Sequence, residues 1–268
     1  MKNLLPFIIL NKYNMTRVIS IVNEKGGSGK TTTAVSVGAF LTKFGKKVLL
    51  VDLDPQANAT ISLGFSPKKI PINIYHSLAE EVPFREIIKN TPLFNLDIAP
   101  ANSDLAGSNV ELLEKVGREQ ILNKVLEAII NEYDYVLLDS PPSLGILTLN
   151  TLVAAKEIII PIQCEFFALK SLEQLFEVFD LLEKNLNKTF RQIFGVLTMY
   201  DKRNTLSREI VKEVKEKFPG KVFETIIPRN IKLAEAPKYG KTIFQYAPES
   251  KGAKAYERLT EEIISLKT

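Results

Sequence analysis

The chain is poor in residues that build covalent or metal-bound frameworks, with 1 cysteine and 1 histidine among 268 residues. A lone Cys164 excludes an intrachain disulfide framework and fits a reducing compartment. It follows the apolar run 158–162, so it reads as a small core residue rather than a nucleophile. His76 has no neighbouring cysteine or second histidine, which leaves a metal site built on it short of ligands. Long apolar runs are missing too: nothing approaches the roughly 18 consecutive residues of a membrane span. Internal repeats, low-complexity tracts and linkers are also absent, and a hydrophobic content of 45% suffices for one substantial core.

Residues 1–14 stand apart. Leu4, Leu5, Phe7, Ile8, Ile9 and Leu10 are apolar, but Pro6 breaks the run and no small-residue cleavage site follows. The expectation is an N-terminal extension, disordered or not translated, with Met15 as the working start and 15–268 as the domain. The alternative is a segment that touches a membrane.

Apolar runs of strand length recur at 18–22, 48–51, 96–99, 135–138, 157–162, 193–198 and 222–227. Segments of helical period separate most of them, among them 31–44, 120–131, 169–186 and 207–218. That alternation predicts an α/β fold: a mostly parallel twisted sheet with helices on both faces. In such sheets ligands sit outside the carboxyl ends of the strands.

The stretch from Asn23 to Thr32 lies between the first strand and the first helix. Its core, Lys25-Gly26-Gly27-Ser28-Gly29-Lys30-Thr31-Thr32, is a glycine loop whose backbone N–H groups can converge on an anion. The helix that follows adds its positive end. Lys30 is placed to reach the β- and γ-phosphates of a nucleotide and the Thr31 hydroxyl to ligate Mg²⁺. Glu24 occupies the first glycine position of the ordinary loop, and Lys25 is a second lysine that repels Lys30 unless a strong anion sits between them. Asp139 closes a run of four apolar residues, the pattern of a carboxylate that holds Mg²⁺. Asp52 and Asp54, two apart on an extended segment, can point to one metal–phosphate site.

Charge is unevenly spread. The net charge is +4, yet residues 202–254 carry 13 lysines and arginines against 6 glutamates and no aspartate. Such a concentration is a footprint for polyanions. With no aromatic-rich single-strand motif and no recognition helix-turn-helix, duplex DNA held by its phosphates without sequence reading is the natural ligand. Arg203, Lys232, Lys238, Lys241 and Lys251 are the candidates. Lys212, Lys215 and Lys217 alternate with Glu213 and Glu216 and read as a solvated helix face.

Five motifs in order give the chain a family resemblance: the lysine-bearing loop, Asp52-Leu53-Asp54-Pro55, Asp139-Ser140-Pro141-Pro142, Met199-Tyr200-Asp201, and Ile227-Pro228-Arg229-Asn230 before Leu233-Ala234-Glu235-Ala236-Pro237. From about Arg17 onward it resembles the ParA/Soj family of partitioning ATPases, which carry the deviant Walker A signature. Glu24 and Ser28 stand where Gln and Val are expected, and Ser140 where Ala or Cys is commoner.

The resemblance implies an ATPase using ATP and Mg²⁺, a homodimer formed with ATP, and non-specific binding to double-stranded DNA. It also implies a ParB-type partner that stimulates hydrolysis, and a cytoplasmic, nucleoid-associated protein. It places Asp52 near Mg²⁺ and its waters, and gives Asp54 the attacking water. Lys25 would reach across the dimer to the partner's ATP. Met199, Pro228, Arg229 and Asn230 would lie near the adenine, and Arg203 and Lys232 match DNA-contacting positions.

Three other classes share this loop. A MinD-like membrane ATPase normally ends in a basic amphipathic helix, whereas residues 253–268 carry three basic and three acidic side chains. An iron–sulfur carrier needs at least two cysteines per subunit. A small-molecule synthetase does not call for the basic C-terminal third.

Overall fold

The structure is a computed structural model and describes residues 15–166 and 168–266. The expectations for residues 1–14 lie outside the described residues. Eight strands form one sheet: β1 Arg17–Ile21, β2 Val48–Asp52, β3 Lys89–Asn90, β4 Leu96–Ala99, β5 Tyr135–Asp139, β6 Glu157–Gln163, β7 Gln192–Thr198 and β8 Lys221–Val222. Their spatial order is β3-β4-β2-β5-β1-β6-β7-β8, and every pair is parallel except β3 with β4. The central strands β1, β2 and β5 are buried on both faces, as their continuous apolar sequences require.

Helices cover both faces. One apolar core joins the sheet to the helices Ile74–Ala79, Ile121–Glu127, Ile146–Ala154 and Glu173–Leu186. The other core lies under α1, Lys30–Lys43, and the C-terminal helix Lys251–Ser265. Within it Phe40 and Leu41 meet the sheet, and Leu259 and Ile263 are fully buried. The Tyr256 hydroxyl lies 3.0 Å from Thr33 Oγ1 and ties the C-terminal helix to α1.

Register sets the geometry of the site. Asp139 pairs with Ile21 on one side and with Asp52 on the other. The glycine loop, the Asp52–Asp54 segment and Asp139 therefore leave the sheet at one edge.

Two expectations are corrected. The run 222–227 is a strand only over Lys221–Val222. Beyond it the chain still follows β7, with Phe223 N–H donating to Gly195 O at 2.9 Å and Ile227 N–H to Leu197 O at 2.8 Å. Between them the Glu262 carboxylate captures the N–H groups of Glu224 and Thr225 at 2.9 and 2.8 Å. A carboxylate on the C-terminal helix thus takes donors that a regular ladder would need. The second correction is the antiparallel edge strand β3, which was not expected. Its two residues are too few to show a period. The helix expected at 169–186 begins at Glu173 and ends at Leu186 as expected, and that at 207–218 spans Thr205–Lys217.

Candidate active site

The loop between β1 and α1 turns on Gly27 and Gly29, with φ of +75° and +99°, where a side chain is strained. It is anchored from three sides. Asn23 donates through Nδ2 to Pro161 O at 2.8 Å and accepts Lys25 N–H at 3.0 Å. The Thr198 hydroxyl, at the end of β7, donates to Ser28 O at 2.8 Å. Lys30 Nζ donates to the Lys25 carbonyl at 3.3 Å, so the buried lysine lies along the inside of the loop. Gly26 and Gly27 are exposed, and Thr31 and Thr32 are half-buried at the start of α1.

Three carboxylates gather beside it, all buried. Asp52 accepts from Thr60 N–H at 2.8 Å, from the Thr60 hydroxyl at 2.7 Å and from Asp54 N–H at 3.2 Å. Burial nonetheless pushes its carboxyl up to about 6, with those hydrogen bonds opposing the shift. Asp54 accepts Gln56 N–H at 2.9 Å and opens a turn closed by Ala57 N–H on its carbonyl. Asp139 is different: among the described residues neither of its buried oxygens has a partner at full hydrogen-bond geometry, and only the Thr31 hydroxyl and the Lys30 ammonium stand near enough to act on it. Burial, then repulsion from Asp52, holds its carboxyl well above the ordinary range, against the pull of the Thr31 hydroxyl and Lys30. Burial also lowers the Lys30 ammonium, which Asp139 and Asp54 partly restore.

A fully buried carboxylate so thinly satisfied is costly unless a further cation answers it. Two strand-end aspartates and a helix-start hydroxyl beside a phosphate loop suit a hard divalent ion that keeps several waters and takes phosphate oxygens as ligands. Asp139 is the open donor of the set. Asp52 already serves Thr60 and Asp54, and so holds the loop that carries Asp54.

A cleft of about 380 Å³ continues from Gly29 and Thr32, lined by Thr198, Met199, Pro228, Arg229 and Asn230. All four residues expected near the base are therefore on one wall system with the phosphate loop. Leu233 and Ala234 of the last motif complete it, with Ile231 and Tyr256, which no motif marks. Tyr256 comes from a helix more than 200 residues along the chain, and nothing local in sequence marks it. Met199 takes a left-handed φ of +54°, unusual for its type, where the chain leaves β7 into this cleft.

The basic candidates divide. Arg203 and Lys251 line one groove of about 690 Å³ together with Lys202, Arg229, Lys254 and Arg258. Lys254 and Arg258, missed in sequence, join it because they follow Lys251 at helical spacing. Lys232 is exposed but pairs with Glu235 at 2.7 Å and lies over the Tyr246 ring. Lys238 and Lys241 are exposed on the neighbouring turn and do not line the groove. Asp201 holds Arg203 through two side-chain bonds, which brings the Asp201 carboxyl down to about 2.

The residues set aside in sequence have structural roles. His76 Nδ1 accepts Asn73 N–H at 3.3 Å in a helix cap. Cys164 is buried, and burial pushes its thiol up to about 12.

A glycine loop between strand and helix, two lysines within it and carboxylates at adjacent strand ends define a phosphate-loop nucleotide hydrolase. The family model described as an AAA domain matches residues 16–193. The chain is 47% identical to the sporulation initiation inhibitor protein Soj of Bacillus subtilis, over 94% of this chain and 99% of that one. It is 46% identical to the chromosome-partitioning ATPase Soj of Treponema pallidum, over 94% and 98%. It therefore belongs to the Soj/ParA family of chromosome-partitioning ATPases. Among solved structures, a Mycobacterium smegmatis protein titled cobyrinic acid a,c-diamide synthase, with bound ADP and magnesium, is similar at 36% identity. Its TM-score is 0.81, with 93% of this chain and 94% of that one covered. The Pyrococcus furiosus cell division ATPase MinD aligns at TM-score 0.77 and 28% identity, over 94% and 100%. MinD is thus the weaker fit, and the apolar face of the C-terminal helix is packed on α1. No helix among the described residues is long and apolar enough to cross a membrane.

Proposed function

We propose that this ATPase couples its nucleotide state to DNA in chromosome or plasmid segregation. ATP and Mg²⁺ occupy the loop, Lys30 neutralises the β- and γ-phosphates, and Thr31 and Asp139 hold the metal. When bound, the metal supplies positive charge to the phosphate oxygens. Asp54 orients the attacking water, and Asp52 keeps the Asp54 loop in place through Thr60. Met199, Pro228, Arg229 and Asn230 line the base. Lys25 of each subunit reaches the nucleotide of a second copy, so that ATP holds the dimer together. The dimer lays its paired basic grooves on duplex DNA without reading bases, and a ParB-type protein stimulates hydrolysis and release. On this reading the protein works in the cytoplasm on the nucleoid.

The observation that carries the proposal is the open, buried Asp139 carboxylate beside a loop with two lysines, since both charges call for a metal-bound polyphosphate. The test uses Asp54→Ala. This protein should bind Mg·ATP, elute as a dimer in size-exclusion chromatography, and shift duplex DNA with ATP but not ADP. A variant that stays monomeric under saturating ATP removes Asp54 from hydrolysis. Equal DNA shifts with ADP and ATP would falsify the coupling.

A further inference from the structure

Lys25 and Lys30 lie five residues apart, yet their ammonium groups have different surroundings. Lys30 Nζ sits on the Lys25 carbonyl, inside the loop. Lys25 Nζ instead donates to Glu165 Oε2 at 3.0 Å, just beyond the end of β6. Glu165 is preset for this. Its Oε1 accepts from Gln163 Nε2 at 2.6 Å, its backbone N–H donates to Gln163 O at 2.7 Å, and Arg229 stands 3.9 Å from Oε1. The segment is pinned to β7 by Cys164 N–H on Thr198 O at 3.0 Å, and Thr198 is the residue that holds the glycine loop. Lys25, Glu165 and Arg229 line one cleft of about 370 Å³, next to the base cleft.

A lysine on a flexible four-carbon stem beside a polyphosphate is drawn to the nearest anion, which is its own subunit's nucleotide. Lys25 folded onto that nucleotide is lost to a second copy. We propose that Glu165 is a positioning residue that holds Lys25 away from its own subunit's phosphates and keeps it available for those of a second copy. The proposal rests on the reading of Lys25 as the residue that crosses the dimer. The pair is partly exposed, 31% for Lys25 and 48% for Glu165, so the hold is light enough for a partner's triphosphate to break. Gln163 fixes the carboxylate in the direction of Lys25, and Arg229 remains beside Glu165 when Lys25 leaves.

The test is a double-mutant cycle read on binding of fluorescent ADP, which keeps dimer formation out of the measurement. Wild type, Lys25→Ala, Glu165→Gln and the double variant are titrated at low salt. Glu165→Gln should bind ADP about threefold more tightly, the size expected of a partly exposed ion pair. In the Lys25→Ala background the same change should have no effect, because the gain comes through Lys25. A gain of equal size in both backgrounds means that Glu165 acts only by its charge, and it overturns the proposal. So does no gain in Glu165→Gln alone. Size-exclusion chromatography of Lys25→Ala with ATP tests the underlying reading separately. A dimer there ends the role of Lys25 across the interface, whatever the cycle gives.

Discussion

Two aspartates of the same type, facing each other across β2 and β5, differ because of what surrounds their oxygens. Asp52 has Thr60 and Asp54 as donors, while Asp139 has none at full hydrogen-bond geometry among the described residues. Both carboxyls are raised by burial, so each binds its proton more tightly in the folded chain than in the unfolded one. Such a group favours folding below its unfolded value, about 3.9, and this contribution fades as pH climbs towards the folded value. For Asp52 the fading ends near about 6. Asp139→Asn removes the buried charge and keeps a side-chain oxygen for the Thr31 hydroxyl. The ligand-free variant should therefore match wild type near pH ~4 and melt at a higher temperature than wild type by pH ~7. Mg·ATP should reverse the order by stabilising wild type alone. Scanning calorimetry at several pH values reads both, and an advantage that does not grow with pH would remove the charge argument.

The loop between β1 and α1 works because its backbone is bent into a region closed to most residues. Gly29 has φ of +99°, and a methyl there meets only the Thr198 side chain, nearest at an ordinary 3.7 Å. Space is available, so the penalty of Gly29→Ala is conformational, roughly 1–2 kcal/mol. The expected outcome is a melting temperature lowered by a few degrees and a much larger loss of ATP affinity, because the N–H groups no longer converge. Thermal melts beside nucleotide titrations check this. A variant that loses stability but keeps its affinity would show that the glycine serves the fold and not the cradle. The stretch after β8 is an element where local pattern misleads. Residues 222–227 have strand composition, but Glu262, 37 residues from Thr225, binds the amides of Glu224 and Thr225.

Over the whole molecule, the phosphate cradle and the basic groove are joined by β7 and the segment that follows it. Thr198 holds the loop at one end, and Arg203 lies in the groove five residues on. Non-specific DNA affinity arises from counterion release, and log K falls by about 0.9 per phosphate contact for each decade of salt. A dimer that doubles the contacts should bind with a steep salt slope, and more tightly with ATP than with ADP. Arg203→Glu, Lys251→Glu and Lys254→Glu should each lower the slope and abolish the gel shift while leaving ATP-driven dimerisation intact. Lys232→Glu should do less, since Lys232 lies outside that groove, on the turn after Asn230. Equal losses for Lys232 and the groove residues would move the DNA face to the 231–241 turn.

The alternation of apolar runs with helical periods sufficed for the parallel sheet with helices on both faces, because burial on both faces demands continuous apolar strands. The loop, Asp52, Asp54 and Asp139 were legible because backbone curvature and strand-end position are local properties, written in a few adjacent residues. What the tertiary structure alone decided is which distant groups meet them. Thr60 on Asp52, Tyr256 in the cleft beside Gly29, Lys254 and Arg258 beside Arg203, and Glu165 on Lys25 come from separate elements brought together by the fold. The same packing buried Asp139 beside Thr31 and Lys30, and gathered Arg203, Lys251, Lys254 and Arg258 in one groove while Lys232, Lys238 and Lys241 stand outside it. A single sequence carries spacing, but the desolvation of a carboxylate and the pairing of a cation depend on neighbours that only the folded chain supplies.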